Sequence, residues 1–288
     1  MKLSVVVPSY NQGRFLEATL ESILNQDREP EVLVYDGGST DESLGILRRY
    51  GNKIDFVSQR DEGQADAINQ GLQRAQGEIL AYLNSDDIYY PQTVGRVLDY
   101  FETHADCAAL YGTAWHLKED GSVMEQYPTE PWSYPRLLEV CYLCQPAVFW
   151  RREVTERFGL FDPTLQYALD YDFWLRVGHN TEFHYLQGEP LAGSRLHSET
   201  KTLKRRVEVN HEILEVVMRH IAEPPYQWVK NFASVLVELE RQKMGMSKMD
   251  PWMERGLFVQ SVLDLADEHR IGLSTDFLTA LEMTLPTA

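Results

Sequence analysis

The sequence predicts an α/β fold, a mostly parallel central sheet flanked by helices and followed by a C-terminal helical appendage. Three observations carry that expectation. Short apolar runs alternate with helix-period segments through roughly the first 104 residues, the signature of parallel strands joined by helical crossovers. Polar, glycine-bearing turns follow the apolar runs. Beyond about residue 105 the pattern becomes that of short antiparallel strands, and beyond about 200 it is mainly helical.

Lys2 to Val7 reads as a buried strand halted by Pro8, and Asn11-Gln12-Gly13 turns the chain into the helical pattern Phe15, Leu16, Leu20, Ile23, Leu24. Glu31 to Tyr35 is the second strand and Asp36-Gly37-Gly38-Ser39 its glycine turn, before a helix over Asp41 to Tyr50 capped by Ser39 or Thr40. Ile54 to Ser58 and Glu78 to Leu83 are the third and fourth strands, with a helix over Ala65 to Ala75 between them and Pro91 in the first turn of the next helix. The second part reads as strands at Ala108 to Gly112, Ala114 to Leu117, Ser122 to Gln126, Pro146 to Trp150, Thr181 to Leu186 and Leu191 to Arg195, with a helix over Asp170 to Val177. One domain is expected over 1–200, divided into 1–104 and 105–200, and a helical region over 201–288 broken at Pro224-Pro225, Gly245 and Pro251.

The 288 residues, 43% of them hydrophobic, suffice for a large core, so disorder is not expected. A formal charge of -17 repels nucleic-acid backbones and anionic headgroups, and no nucleic-acid partner is expected. The first apolar run is too short for a signal peptide, and no run approaches the ~18 apolar residues of a membrane span. The expected location is the cytoplasm, with peripheral attachment at a membrane as the alternative. Three cysteines do not suggest a disulfide framework, and Cys141 and Cys144 lack a second pair to complete a zinc site, so they read as buried thiols.

Tyr82-Leu83-Asn84-Ser85-Asp86-Asp87 is the strongest chemical signal, because adjacent carboxylates at a strand end repel unless a cation or donor groups share the site. A hard divalent ion fits; capping of the helix near Pro91 is the alternative. Asp36 reads either as a turn carboxylate or as a ligand-facing one. Both acids fall at the carboxyl ends of neighbouring parallel strands, where such sheets bind ligands.

Four segments then appear in order: Val5-Val6-Val7-Pro8-Ser9-Tyr10-Asn11, Asp36-Gly37-Gly38-Ser39-Thr40-Asp41, Asn84-Ser85-Asp86-Asp87, and Ala168-Leu169-Asp170-Tyr171-Asp172-Phe173-Trp174-Leu175-Arg176. As a set, over roughly residues 2 to 200, they resemble glycosyltransferase family 2, whose inverting enzymes have a Rossmann-like GT-A fold. The resemblance implies transfer of a sugar from a nucleotide-diphosphate donor, UDP ahead of GDP or dTDP, to a hydroxyl of a carbohydrate or glycoconjugate acceptor, assisted by Mn²⁺ or Mg²⁺. It makes 1–104 the nucleotide-binding half and 105–200 the acceptor half.

By the same resemblance Pro8, Ser9 and Tyr10 line the base and ribose pocket, Asp36 accepts from the nucleobase, and Gln64, Asp66 and Asn69 are further nucleotide contacts; for Asp66 the alternative is a helix N-terminal carboxylate. Asn84 stands where the family's first acid commonly meets the ribose, and Ser85 follows it in the nucleotide site. Asp86 is the metal ligand, with Asp87 behind it or in its stead. Asp170 is the base, although Leu169 replaces the usual preceding Glu. Asp172 is its rival, about 200° further round a helix. His197, in Arg195-Leu196-His197-Ser198, approaches metal and diphosphate, either as a neutral ligand or as a charged partner. Arg195 and Lys201 are candidate diphosphate partners and Gln145 a candidate acceptor contact. Trp132, Tyr134, Tyr142 and Trp150 are aromatic faces for a sugar or for the core.

Two rival functions remain at this level: a nucleotidyltransferase that makes nucleotide-sugars, disfavoured by the lack of a glycine-rich basic loop after strand one, and a non-catalytic nucleotide- or carbohydrate-binding protein, kept open by Asn84 and Leu169. The apolar stripes of the tail, such as Val229, Phe232, Ala233, Leu236 and Leu239, pack on the domain or form a homodimer through the C-terminal helices.

Overall fold

The computed structural model describes residues 1–284. Its elements run β1 (Leu3–Ser9), α1 (Gly13–Leu24), β2 (Glu31–Asp36), α2 (Ser43–Tyr50), β3 (Asp55–Ser58), α3 (Gln64–Arg74), β4 (Ile79–Tyr82), β5 (Ile88–Tyr89), α4 (Thr93–Thr103), β6 (Ala109–Gly112), β7 (Ala114–Leu117), β8 (Val123–Gln126) and α5 (Tyr134–Glu139). A 3-10 turn (Gln145–Ala147) then leads to β9 (Val148–Arg151), α6 (Arg152–Phe158), α7 (Leu169–Gly178), β10 (Phe183–Leu186) and β11 (Ala192–Arg195). The remaining helices are α8 (Lys201–Lys204), α9 (Arg206–Met218), α10 (Tyr226–Lys243), α11 (Pro251–Glu268) and α12 (Thr275–Thr284). The chain forms two compact units, residues 1–134 with 141–197, and residues 135–140 with the chain from Ser198 onward.

The first unit is built on a seven-stranded sheet, in the order β10-β6-β9-β4-β1-β2-β3. Strands β4, β1, β2 and β3 are parallel, and β9 enters antiparallel between β4 and β6. A four-stranded sheet, β5-β11-β7-β8, lies in the same unit. Val5 and Val7 of β1 and Val32 and Val34 of β2 pack with Leu16, Leu20, Ile23, Ile46 and Leu47 in one core cluster. Val6 packs beneath α3. A Cβ on Gly71 would lie 2.3 Å from a Val6 methyl, so α3 can approach β1 this closely only with glycine at that position.

Several local expectations shift. Strand β1 continues through Pro8 to Ser9, pairing with Tyr35 and Asp36; β4 pairs only with Leu3 to Val6, so the missing Pro8 N–H breaks no ladder on that side. Pro91 lies outside α4, which starts after Gln92 in the left-handed region (φ 66°). Neither Ser39 nor Thr40 caps α2; Asp41 accepts from Ser43 N and Gly13 N instead. The strand expected from Pro146 starts only at Val148, because Gln145–Ala147 form the 3-10 turn.

In the second unit Pro224-Pro225 separates α9 from α10, and Gly245 (φ 68°) follows α10. Pro251 begins a helix, with Asp250 accepting from Trp252 N and Met253 N as its cap. No helix among the described residues is long and apolar enough to cross a membrane.

Candidate active site

The strand register lines Ser9 of β1 beside Asp36 of β2, and Asp36 beside Ser58 of β3, one row across the carboxyl ends of the sheet. Asp36 is buried at 2% exposure. Its Oδ2 accepts from Gly38 N (3.2 Å), Ser39 N (2.9 Å) and Ser58 Oγ (2.7 Å), while Oδ1 accepts from Ser39 Oγ. The left-handed Gly38 (φ 81°) turns those two amides back onto the carboxylate. Three donors occupy Oδ2, so a ligand donor finds its open lone pair on Oδ1. Ser9 Oγ, beside it, is buried without a hydrogen-bond partner among the described residues, and the Tyr10 ring is 62% exposed.

The next loop adds Asp61, whose carboxyl is pushed above its usual range by burial first and then by the negative charges of Asp66 and Asp36. Asp66 sits in the first turn of α3, where it accepts from Glu62 N and Gln70 Nε2, a helix N-terminal carboxylate. Asn69 is committed elsewhere: its amide donates to Phe161 O (2.8 Å) and accepts from Phe161 N (3.0 Å). Its side chain therefore anchors the segment before α7.

Gln64 reaches the acidic turn. Its Nε2 donates to Asn84 Oδ1 (2.8 Å), Asn84 Nδ2 donates to Gln145 Oε1 (3.1 Å), and Gln145 Nε2 donates to Tyr82 O (2.8 Å). This amide relay explains why an amide is tolerated at position 84, since it donates and accepts at once where a carboxylate only accepts. It also ties Gln145, buried at 9% exposure, to the turn.

Thr19 Oγ1 donates to the carbonyls of Ser85 (3.0 Å) and Asp87 (2.7 Å) and so holds the turn from α1. The two acids then part company. Asp87 is 3% exposed and accepts from Arg195 N (2.8 Å); burial first, then Asp86, pushes its carboxyl well above the usual range. It fastens β11 to the turn. Asp86 faces His197, with Oδ2 2.9 Å from Nε2. His197 is 5% exposed, packed on Phe15 with ring centroids 4.7 Å apart, and its Nδ1 lies 3.1 Å from Arg14 Nη2.

Arginine only donates, so Nδ1 accepts and the ring proton sits on Nε2, pointing at Asp86. Arg14 also pairs with Glu119 at 2.7 Å. Arg195 donates to Asp86 O (2.8 Å) and Glu119 O (2.9 Å), bracing the turn with its backbone contacts. Lys201 opens α8 in the other unit and is exposed.

Neighbouring ligands about an octahedral ion with ~2.1 Å bonds sit about 3 Å apart, and the Asp86–His197 separation of 2.9 Å fits that edge. Asp86 suits a hard cation as it stands. His197 would ligate through Nε2 only after its proton passes to Nδ1 and Arg14 turns aside. Asp86 and His197 would be the side chains that hold such an ion.

Asp170 lies in the first turn of α7 and accepts from Tyr171 N (2.8 Å). Its charge is felt on the acidic-turn side: the Tyr82 phenol is raised by burial and then by Asp170 and Asp87, and the Cys144 thiol by burial, Asp87, Cys141 and Asp170. Asp172 points into the protein at 2% exposure and is ion-paired with Arg176 Nε at 2.7 Å. Trp150 and Tyr142 are buried core, Trp132 stacks on Phe183, and Tyr134 sits edge-on to His179. Cys141 and Cys144 are free thiols.

Sequence reasoning missed Arg14, Phe15, Thr19, Ser58 and Glu119, which carry no local signature and join the site only through the sheet register and the packing of α1.

Residues 4–157 match the model of glycosyl transferase family 2. The chain is 26% identical over 214 residues to an uncharacterized glycosyltransferase of Rickettsia prowazekii, covering 69% of this chain and 65% of that protein's length. Among solved structures it resembles S. aureus TarS 1–349 in complex with UDP-GlcNAc, at TM-score 0.62 and 20% identity over 91% of this chain and 82% of that one. It also resembles the mannosyltransferase PcManGT of Pyrobaculum calidifontis in complex with GDP-Man and Mn²⁺, at TM-score 0.58 and 17% identity over 98% of this chain and 83% of that one. At these identities the likeness to the solved structures is one of fold, the GT-A arrangement.

Proposed function

The chain belongs to glycosyl transferase family 2, and from that premise we propose that it transfers a sugar from a UDP-sugar to a hydroxyl of a carbohydrate or glycoconjugate acceptor, inverting the anomeric centre. The observation that carries this reading is the gathering of acids at the carboxyl ends of the parallel strands, with Asp36 closing β2 beside Ser9 of β1 and Asp86 paired with His197 at 2.9 Å in the turn after β4. Asp170, in the first turn of α7, is the proton acceptor in this reading.

In this reading the exposed Tyr10 ring covers the base, whose imide N–H bonds the remaining lone pair of Asp36 Oδ1. Ser9 Oγ gains its missing partner from the nucleoside, and the amide relay of Gln64 and Asn84 turns toward the ribose. Asp86 with His197 would hold a divalent ion, Mn²⁺ or Mg²⁺, whose charge would offset that of the departing diphosphate. Asp170 takes the proton of the acceptor hydroxyl as its oxygen bonds to the anomeric carbon, and the bond from that carbon to the diphosphate oxygen breaks on the opposite face. Asp172, locked to Arg176, holds α7 in place. The TarS complex with UDP-GlcNAc and the PcManGT complex with Mn²⁺ support the donor class and the ion.

The test is a thermal-shift panel of UDP, GDP, dTDP and their sugars with and without Mn²⁺. A metal-dependent rise in melting temperature with uridine nucleotides is expected. A panel in which no nucleotide stabilises the protein contradicts the reading.

A further inference from the structure

The second unit carries a cluster that sugar transfer does not use. Helix α9 places His211 and Glu215 one turn apart on one face, and the end of α11 brings Glu268 and the capping residue His269 against them. Ligand atoms of His211, Glu268 and His269 all lie within 4.8 Å of one another, and the two imidazole centroids are 4.7 Å apart. A paired turn fixes this end of α11: Ile271 N donates to Ala266 O and Arg270 N to Asp267 O, with Arg270 in the left-handed region (φ 55°).

At His211 both ring nitrogens face carboxylates, and a neutral ring can donate to only one of them. Glu215 Oε1 lies 3.5 Å from His211 Nδ1, and Glu268 Oε1 lies 3.3 Å from His211 Nε2. A neutral ring carries one N–H, so one of its nitrogens would set a lone pair against a carboxylate. A doubly protonated ring would satisfy both, but charge-assisted bonds close to about 2.7–2.9 Å, and both contacts are longer. His269 Nε2, close by, is buried with no hydrogen-bond partner among the described residues.

We propose that His211, Glu268 and His269 bind a zinc ion that ties α9 to α11. The ion takes the Nε2 lone pair of His211 and the Glu268 carboxylate, gives the His269 ring the partner it lacks, and leaves His211 Nδ1–H for Glu215. A carboxylate on the outer N–H of a ligating histidine is the usual support of such sites. Ligands on a tetrahedral ion with ~2.0–2.1 Å bonds sit roughly 3.3 Å apart. The His211–Glu268 spacing of 3.3 Å is that edge. Water fills the fourth position. Two imidazoles with one carboxylate suit zinc better than calcium or magnesium, which prefer all-oxygen shells.

The test uses the 288-residue chain with Asp86→Asn and His197→Gln in the first unit, so that failure here is separable from failure of the transferase reading. The protein is stripped with chelator, equilibrated with micromolar Zn²⁺ and desalted, and zinc per chain is measured by mass spectrometry. About one zinc per chain is expected, lost on adding His211→Ala and weakened about tenfold or more by Glu268→Gln, a milder change at an exposed residue. Cobalt(II) in place of zinc should give the intense visible bands of a four-coordinate ion, a readout that needs no ligand variant. Absence of bound zinc in the Asp86→Asn, His197→Gln protein, retention unaffected by both His211→Ala and Glu268→Gln, or the pale spectrum of six-coordinate cobalt would each overturn the proposal.

Discussion

Asp172→Asn separates the structural acid of α7 from Asp170, the base we propose. The Asp172 side chain is 3% exposed and bonds Arg176 Nε at 2.7 Å, and the same guanidinium donates to Leu160 O at 2.8 Å and to Phe158 O. Breaking a fully buried ion pair costs roughly 3–5 kcal/mol. Here Arg176 remains 27% exposed and keeps its two carbonyl partners, and asparagine keeps one oxygen acceptor, so about 2 kcal/mol is the reasoned loss. For a unit of this size that is a fall of roughly 4–8 °C in melting temperature. Calorimetric melting gives the shift, and release of nucleoside diphosphate per folded molecule gives turnover. Turnover should stay within about threefold of the parent, because Asp172 faces away from the cleft. An unchanged melting temperature together with abolished turnover would exchange the roles of Asp170 and Asp172 and refute the reasoning.

Asn69→Ala removes both bonds to the Phe161 backbone and should cost about 1–3 kcal/mol of stability while leaving uridine-nucleotide affinity unchanged; a calorimetric titration that loses the nucleotide would return Asn69 to the binding pocket. Asp86→Asn should weaken Mn²⁺ binding in the presence of nucleoside diphosphate at least tenfold, read by fluorescence-monitored titration, and an unaltered affinity would remove the acidic turn from the metal site. Glu102 is held down to about 2 from an ordinary 4.5 by Arg28 first and then by the Met1 ammonium. A lowered carboxyl stabilises above its unfolded value and loses that contribution as pH falls from about 4.5 through about 2, so Glu102→Gln should flatten the acid limb of the stability curve in that window at low salt; identical acid limbs would contradict the assignment.

Elements with an internal rhythm were legible in the sequence. Val5 to Val7 and Val32 to Val34 are apolar without alternation because the parallel strands are covered on both faces, and the α3 helix was placed to within one residue of its ends. Features set by partners distant in the chain were not. Strand β5 is two residues long and exists only through its pairing with β11, and the strand expected from Pro146 is shortened by a turn that serves the Gln145 relay. The same division runs through the site. Asp36, Asp86 and Asp170 are the acids to which the surrounding sequence assigns roles, whereas the buried orientation of Asp87, the engagement of Asn69 with Phe161 and the grip of Arg14 on His197 depend on contacts across 108, 92 and 183 residues.

Donor titration and turnover measured side by side on Asp170→Asn bear most directly on the account. With Mn²⁺ present, the variant should bind the preferred UDP-sugar within about threefold of the parent while turnover falls by about 10²–10⁴, the usual contribution of a positioned general base. Turnover equal to the parent's, or donor affinity lost together with it while the fold is intact, would contradict a base at residue 170 facing the sugar from across the metal cleft.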